Sequence, residues 1–480
     1  MKILHFLIII LLFKASYAWE LQFGSDTLYD EGRASCKTSD NGYIITGSSG
    51  NFLNAELDLY MLKLNGNGEL QWEKRIGGEL EERGWTITAT TDGNFIISGL
   101  TKSKGHGSSD FYTIMMDLRG NIIFEKTYGS EEYERCYSIT NVSDDGFIMN
   151  GVKGTGYVYV VRIDKEGSVL WEKTYGPQDE FNYGRFTIET SDGGFINCGA
   201  ANHYSSSHGD AYIFKTDRNG NLLWEKFLGG DQWDNALCVR QTRDNCYIAG
   251  GYTFSFGSGN GDFYVIKMDS SGNAIWEKTY GGEKGEISNS LVLTEDGGFI
   301  MCGYTESYGK GGEDAFVVKA DSSGNLVWQK TFGDTLDDWF HNVFKESDNV
   351  YTLTGITNYV KNSDATGDVF FVKIDGNGSM INERRIITRR KIHPCSFPNP
   401  FTDKTYIRFH LLSYGKVTVT IYDITGKFVA KLCDKYMDKG SHDIIWNGKD
   451  FRKNEAGNGI YFYEIITNLK HESGKILHFK

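Results

Sequence analysis

Short apolar runs separated by glycine-rich turns recur along most of this chain. Each repeat holds four such runs, rich in Val, Ile, Thr, Phe and Tyr and bounded by Gly, Asn or Asp, a pattern typical of β-strands. No part of the array keeps a helical period. The seven copies are marked by an Asp that lies shortly before an aromatic or apolar run, and these markers are 52 residues apart at every step but one: Asp40, Asp92, Asp144, Asp192, Asp244, Asp296 and Asp348. The pattern therefore predicts an all-β fold built from seven four-stranded units.

A single four-stranded sheet cannot bury both of its faces, so consecutive units must stack on one another. Seven such units predict a seven-bladed β-propeller over residues 19–388; an open β-solenoid is the alternative. The segment Trp19-Glu-Leu-Gln-Phe-Gly24 is an isolated copy of the repeated Trp-Glu-Lys-Thr-Tyr-Gly run, whereas the last copy has Asn382 in place of its Trp. Both facts favour a closed ring in which the N-terminal strand completes the last blade.

The repeated Asp-x-x-Gly-Asn-x-x-Trp segment resembles the repeats of pyrroloquinoline-quinone-type and related bacterial propellers. The resemblance covers the whole array, but it rests on turn and packing residues, so it bears on fold and not on activity. We interpret the Asp-x-x-Gly-Asn sequence as a hairpin turn and not as a metal loop, because it recurs before each Trp.

The character of the sequence changes around residues 389–397, which we predict to be a linker because basic residues lead into three closely spaced prolines. Residues 398–480 contain their own short alternating runs, such as Thr405 to Leu411 and Gly459 to Ile465. About 80 residues of short strands predict a small Ig-like β-sandwich.

This C-terminal stretch resembles the type A C-terminal sorting domain of proteins exported by the type IX secretion system. The order and spacing of the motif residues match throughout: Pro398, Asn399, Pro400, Phe401, Tyr422, Asp423, Gly426, Trp446, Gly448, Gly459, Tyr461, Lys475 and Lys480. Flagellar hook-capping proteins carry a similar sandwich without the sorting role. The resemblance implies that the type IX secretion machinery is a partner, and that the protein is secreted or attached to the outer surface.

Residues 1–18 have the pattern of a secretory signal peptide. Lys2 gives a charged start, an apolar stretch from Ile3 to Phe13 follows, and Ser16-Tyr-Ala18 forms a small-residue cleavage site. We expect export through the periplasm, and no later stretch is apolar enough to predict a transmembrane segment.

The net charge of −13 and the pI near 5.3 argue against nucleic acid as a partner. An exported chain with eight Cys could form disulfides. Cys238 and Cys246 flank one hairpin and could pair, as could Cys395 and Cys433. For the propeller cysteines we favour the role of small buried core residues.

The loops between blades, and those between the second and third strands, share one face of a propeller. Here they are acidic and aromatic, and we predict ligand binding by Tyr133, Glu134, His203, Tyr204, Trp233, Asp234, Tyr308, Asp338 and Trp339. Aromatic planes edged with carboxylates suit a glycan, a cationic peptide or a Ca²⁺-bridged ligand. The alternative is that acidic loops only keep a repeat protein soluble.

Catalytic motifs are missing from the sequence. It has no His-Glu-x-x-His, no Gly-x-Ser-x-Gly and no phosphate loop, and we expect neither a cofactor nor a resident metal. The sequence therefore favours an exported binding protein for glycan or protein. A structural surface-layer component and, after it, a carbohydrate-active enzyme are the alternatives.

Overall fold

The structure is a computed structural model. It describes residues 19–25, 28–52, 56–177, 181–202, 208–360, 366–381, 385–390, 395–397, 399–411, 414–438, 440–467 and 471–479. The predicted signal peptide and residues His203, Tyr204, Pro398 and Lys480 lie outside the described residues. The chain divides into two compact units, Met1–Thr388 and Arg389–Lys480.

The first unit contains seven antiparallel blades of four strands in its described residues; a single parallel bridge between Tyr29 and Gly367 joins blades 1 and 7 into one hydrogen-bonded sheet. Blade 1 consists of β2 (Tyr29–Lys37), β3 (Tyr43–Asn51), β4 (Glu56–Leu64) and β5 (Leu70–Ile76), and blade 2 of β6 (Glu82–Ala89), β7 (Phe95–Thr101), β8 (Asp110–Met116) and β9 (Ile122–Tyr128). Blade 3 consists of β10 (Glu134–Asn141), β11 (Phe147–Lys153), β12 (Tyr157–Ile163) and β13 (Val169–Tyr175), and blade 4 of β14 (Asn182–Glu189), β15 (Phe195–Asn202), β16 (Gly209–Thr216) and β17 (Leu222–Leu228). Blades 5 to 7 are β18 (Asp234–Gln241), β19 (Tyr247–Thr253), β20 (Asp262–Met268) and β21 (Ala274–Tyr280); β22 (Glu286–Leu293), β23 (Phe299–Thr305), β24 (Asp314–Ala320) and β25 (Leu326–Phe332); and β26 (Asp337–Ser347), β27 (Val350–Val360) and β28 (Thr366–Asp375) with β1 (Trp19–Ser25).

The N-terminal strand β1 completes blade 7, as the isolated Trp-Glu copy predicts. It pairs antiparallel with β28, placing Leu21 opposite Phe371 and Phe23 opposite Val369, and β29 (Arg385–Arg390) pairs with its other edge. The first strands of blades 1 to 7 contact one another in order, and β26 of blade 7 contacts β2 of blade 1. The ring is therefore closed, which confirms the seven-bladed propeller and excludes the solenoid.

The repeated Trp and Asp residues tie neighbouring blades and turns together. Trp72 on the outer strand of blade 1 donates its Nε1–H to the carbonyl of Leu118 in the next blade at 3.0 Å. The carboxylate of Asp269 accepts the backbone N–H of Ser271 and of Asn273, both at 2.9 Å. The interpretation of Asp-x-x-Gly-Asn as a turn is thus confirmed, because its Asp closes the hairpin from within.

The second unit is a sandwich of two antiparallel sheets. One contains β30 (Cys395–Phe397), β31 (Thr405–Leu411) and β34 (Gly440–Trp446); the other contains β33 (Phe428–Met437), β32 (Gly415–Asp423), β35 (Gly459–Thr467) and β36 (His471–His478). Side chains from both sheets, including Phe409, Ile421, Trp446 and Tyr463, share one buried core. The all-β class predicted for both parts is confirmed.

Seven cysteines have described side chains, and all seven are free. Cys238 does not pair with Cys246, because Cys238 lies in the core between blades 5 and 6, where burial raises the pKa of its thiol to about 11. The side chain of Cys395, which was predicted to pair with Cys433, lies outside the described residues. Within the described ranges, no helix is long and apolar enough to span a membrane.

Candidate ligand site on the propeller

The two loop sets predicted to share one face do meet there. The backbone N–H of Phe254, in the loop after the second strand of blade 5, donates to the carbonyl of Trp233 in the preceding inter-blade loop at 2.9 Å. The same contact recurs between Glu306 and Gly285 at 2.8 Å. The loop face is therefore a continuous rim in which each inter-blade loop rests on a loop of the blade that it enters.

Each first strand begins with a buried polar residue, acidic in six blades: Asp30, Glu82, Glu134, Asn182, Asp234, Glu286 and Asp338. In blade 6, Glu286 accepts hydrogen bonds from Gly282 N at 2.8 Å and from Thr305 Oγ1 at 2.6 Å. Glu82 makes the equivalent contacts in blade 2. This polar ring fastens the inter-blade loops to the sheets, because it gives buried backbone N–H groups an acceptor.

The three carboxylates among the predicted ligand-binding residues belong to the polar ring. Glu134 accepts from Ser130 Oγ at 2.6 Å, and Asp234 accepts from Gly230 N at 2.8 Å and Ser255 Oγ at 2.7 Å. Asp338 accepts from Asp334 N at 2.9 Å, and burial raises the pKa of its carboxyl to about 6. All three are fully buried, and each accepts at least one hydrogen bond from the loops of this chain, although Glu134 Oε2 and Asp234 Oδ1 have no described partner.

The predicted aromatic residues are spread around the rim on blades 3, 5, 6 and 7. Tyr308 is 37% exposed and donates its hydroxyl to the carbonyl of Gly281 at 3.0 Å. Trp233 and Tyr133 are partly exposed. Trp339 packs against Tyr304 and Tyr359 with ring centroids 5.5 and 4.9 Å apart. The structure brings them to one face but does not gather them into one cluster.

A β-bulge interrupts the first strand of every blade at the same repeat position. The bulged residues have no partner on the second strand: Arg33, Trp85, Tyr137, Arg185, Leu237, Asn289 and His341. A bulge adds one residue to a strand and re-aims its side chain. Side chains from neighbouring blades meet at this level; the rings of Trp85 and Tyr137, for example, stack with centroids 4.8 Å apart. This bulge ring therefore lines the central channel.

Arginine and aromatic side chains concentrate on the arc of the channel formed by blades 2 to 4. The guanidinium of Arg135 lies 4.5 Å from the Trp85 ring centroid and 5.2 Å from that of Tyr133. The guanidinium of Arg185 lies 4.3 Å from the Tyr137 ring centroid. We call Trp85, Arg135, Tyr137 and Arg185 the channel cluster. These distances are those of cation–π contacts, in which the face of an aromatic ring attracts the positive charge.

The two arginines of the channel cluster have no counterion among the described residues, unlike the other two channel arginines. Arg33 Nη2 pairs with Glu31 Oε1 at 2.6 Å, and Arg83 Nη2 pairs with Glu81 Oε1 at 2.5 Å. Arg185 has its ring contact but no hydrogen bond or ion pair among the described residues, and Arg135 adds one long hydrogen bond of 3.4 Å to the hydroxyl of Tyr137. Two buried donors, Arg135 Nε and Trp85 Nε1, have no described partner. The cluster thus presents unused positive charge and unused hydrogen-bond donors.

The predictions from sequence did not include the channel cluster. Three of its residues, Trp85, Tyr137 and Arg185, occupy the shared bulge position but differ in chemistry, and Arg135 lies two residues before it, so a search for what the repeats share passes over them. The available signal was the variation itself, at the residue directly after Gly84, Cys136 and Gly184 on the first strands. Among the described residues, no group of three or more His, Cys, Asp and Glu side chains is arranged to hold a metal ion.

In the C-terminal unit, the sorting-motif residues hold the sandwich together. Asn399 bridges to the last strand, because its Oδ1 accepts Leu477 N at 2.7 Å and its Nδ2 donates to Lys475 O at 2.7 Å. Trp446 is buried and donates its Nε1–H to Lys449 O at 3.0 Å. Gly426 and Gly448 adopt φ of 82° and 69°, which favours glycine.

Residues 396–478 match the family model described as the secretion system C-terminal sorting domain. The chain therefore carries a sorting domain, as the motif predicted. This domain marks the protein for export to the cell surface or for secretion. No curated protein matches the sequence as a whole.

The solved structures that resemble the chain in backbone trace include three of different kinds: a secretion-system component, a lectin and a protein of unknown function. PorZ of Porphyromonas gingivalis, an essential surface component of the type IX secretion system, has a TM-score of 0.39 at 12% identity, covering 91% of this chain and 58% of its own. The BP39L lectin of Burkholderia pseudomallei has 0.49 at 10% identity, covering 74% and 98%. A protein of unknown function from Dyadobacter fermentans has 0.47 at 11%, covering 75% and 98%. This chain thus spans little more than half the length of PorZ, and at these scores we draw no functional conclusion from the three.

Proposed function

We propose that this protein is cargo of the type IX secretion system that passes through the periplasm and, once outside, binds a glycan through the loop face of its propeller. The observation that carries the proposal is the row of exposed aromatic side chains on that face. Phe181, Phe254, Phe256 and Tyr308 are each more than one-third exposed. Aromatic planes offered to solvent suit the apolar faces of sugar rings.

The position of these side chains supports binding over a purely solubilising role for the loops. The ring carboxylates at the base of the loops are already hydrogen-bonded within the protein, so the solvent-facing chemistry of the rim is more aromatic than the sequence suggests. Phe256 packs against Tyr264 with ring centroids 5.8 Å apart, and Tyr308 packs against Phe316 at 5.6 Å. These contacts fix the rings in place, so little side-chain entropy remains to be lost on binding.

A glycan array probed with the purified full chain tests the proposal. We expect specific binding that weakens at least about tenfold, a loss of roughly 1.4 kcal/mol, in Trp233→Ala and Tyr308→Ala. Leu223→Ala is the matched control, because Leu223 is an exposed apolar residue on the outer strand of blade 4 and not on the loop face. An array without specific binding would contradict the proposal and favour the structural surface-layer role.

A further inference from the structure

We infer that the channel cluster binds the carboxylate of an acidic sugar, so that the ligand is a glycan containing uronate residues. The inference rests on the proposed function, since it names the chemical class of that ligand. It also places the recognition of charge in the channel, below the aromatic rim.

The positive charges of the channel cluster have no carboxylate partner among the described residues. Arg135 and Arg185 both lie within 6 Å of the Tyr137 ring centroid, at 5.9 and 4.3 Å. Both arginines are partly buried, and opposite charges attract more strongly where water is partly excluded. The protein carries a net charge of −13, yet it leaves these two cations without a carboxylate among the described residues. An anionic ligand would supply the missing partner.

The N–H groups of the channel cluster are suited to binding a carboxylate. Each guanidinium contacts a ring, and its edges, which carry the N–H groups, are not paired with a carboxylate among the described residues. A carboxylate accepts two parallel hydrogen bonds from such an edge, which gives the pair both strength and orientation. Trp85 Nε1 is a third donor beside them, buried and without a described partner.

The unused hydrogen-bonding groups of the channel wall favour a sugar over a peptide. Farther along the channel wall, Asn235 has a buried Nδ2 without a described partner, although its Oδ1 accepts the hydroxyl of Tyr183. The unused groups of Arg135, Trp85 and Asn235 are donors, whereas the buried carboxylate atoms without a described partner on the same strands, Glu134 Oε2 and Asp234 Oδ1, belong to the polar ring. Uronate carboxylates and sugar hydroxyls are rich in acceptor oxygens, whereas a peptide backbone also brings N–H groups that need acceptors.

A short loop in blade 3 gives a ligand access from the rim to the channel cluster. The loop between the second and third strands of blade 3 consists of residues 154–156, whereas its counterpart in blade 2 runs over residues 102–109. Gly154 donates its backbone N–H to Tyr133 O at 2.7 Å, and Tyr133 contacts Arg135. The blade with the shortest such loop among the fully described blades is thus the one that carries Arg135.

The test measures binding of an oligogalacturonate and of its methyl ester to the full chain by isothermal titration calorimetry. The ester keeps the sugar, the linkage and the length but removes the charge. We expect the free acid to bind at least about tenfold more tightly than the ester, and we expect its affinity to fall as salt rises. Equal affinity for acid and ester would overturn the inference whatever the variants do.

Variants then locate the site. We expect Arg185→Gln and Arg135→Gln each to weaken binding of the acid at least about tenfold, and Arg185→Lys to restore part of it. Arg243→Gln is the matched control. Arg243 lies on the hairpin turn between the first two strands of blade 5, is 84% exposed, and pairs with Glu295. Circular dichroism confirms folding, and the preference for acid over ester in the native protein stands independently of any variant.

The outcomes separate this inference from the proposed function. Binding of neutral glycans that is lost in Trp233→Ala, together with no preference for the acid over the ester, would support the proposed function and overturn the channel site. An acidic peptide that binds through Arg185 in place of any sugar would overturn the uronate assignment. No binding of any glycan would overturn both.

Discussion

His341 Nε2 of blade 7 lies 3.0 Å from Glu31 Oε1 of blade 1, at the junction where the ring closes. Burial and the nearby charge of Arg33 lower the pKa of His341 to about 4, while the contact with Glu31 opposes them. The imidazole is therefore neutral at pH 7, and its burial in neutral form becomes a source of pH dependence.

We predict that the contribution of His341 to stability declines as the pH falls from 7 to 5. The unfolded chain takes up a proton on His341 below its ordinary pKa of about 6.5, whereas the folded protein does so only near 4. This residue therefore lowers the free energy of unfolding by roughly 2 kcal/mol across that interval. Chemical denaturation of the native protein and of His341→Gln at both pH values measures the difference.

In His341→Gln we expect this part of the pH dependence to disappear. The raised pKa of Asp338 acts in the opposite direction, since it favours the folded state as the pH falls below about 6, but it is present in both proteins. Identical pH profiles for the two proteins would contradict the assignment to His341.

Closure of the ring by β1 predicts a large effect from one buried side chain. Leu21 is fully buried among side chains of blades 1 and 7, including Tyr60 and Phe371. We expect Leu21→Ala to lower the free energy of unfolding by about 3 kcal/mol, since it removes apolar contacts and leaves a cavity. The control Leu223→Ala, at a side chain that is 59% exposed, should change it by less than about 0.5 kcal/mol. Similar losses in both would show that β1 adds little to closure.

The hydrogen bond of the repeated Trp can be isolated with a matched pair. Trp72 and Trp276 each lie against a Phe, Phe95 and Phe299, with centroids 6.4 Å apart and planes 28° apart. Trp72 donates to Leu118 O, whereas Trp276 Nε1 has no described acceptor. We expect Trp72→Phe to cost about 1 kcal/mol more than Trp276→Phe in urea denaturation. Equal costs would mean that the indole acts by packing alone.

The sorting domain offers a similar comparison between two glycines. At Gly448, with φ of 69°, an added Cβ would lie 2.8 Å from His478 Nε2, whereas at Gly457 it would meet nothing within 4 Å. We expect Gly448→Ala to destabilise this domain by roughly 1–2 kcal/mol and to lower the exported amount, and Gly457→Ala to do neither. Immunoblots of the medium and of cell-surface fractions measure export, and thermal unfolding measures stability. Full export of an unfolded Gly448→Ala domain would contradict the prediction.

The fold could be predicted from sequence because its determinants repeat. The turn Asp, the outer-strand Trp and the isolated Trp19 segment mark the blades, the hairpins and the closure, and each has a role that recurs or is completed elsewhere in the chain. Burial was harder to predict: Glu134 and Asp338 look like surface acids, but each lies inside, where it accepts hydrogen bonds from its own loop, from Ser130 Oγ and from Asp334 N.

The channel cluster lay beyond sequence reasoning for a different reason. Trp85 and Arg185 share a repeat position without sharing chemistry, and only the bulge shows that both point into the channel. Arg135 is surrounded by acidic residues in the sequence, among them Glu132 and Glu134, yet in three dimensions its neighbours are aromatic rings. Proximity along the chain therefore gave the wrong electrostatic picture of this part of the face.

The pairing of β1 with β28 joins residues about 350 positions apart, so it belongs to the slowest class of contact that a chain can form. The strand synthesised first has no partner until the final blade exists. A chain cut short before blade 7 would leave both β1 and the flank of blade 6 uncovered, with strand edges open to pairing with other chains. Ring closure thus distinguishes a complete propeller from a truncated one, because only the full-length array can cover its own edges.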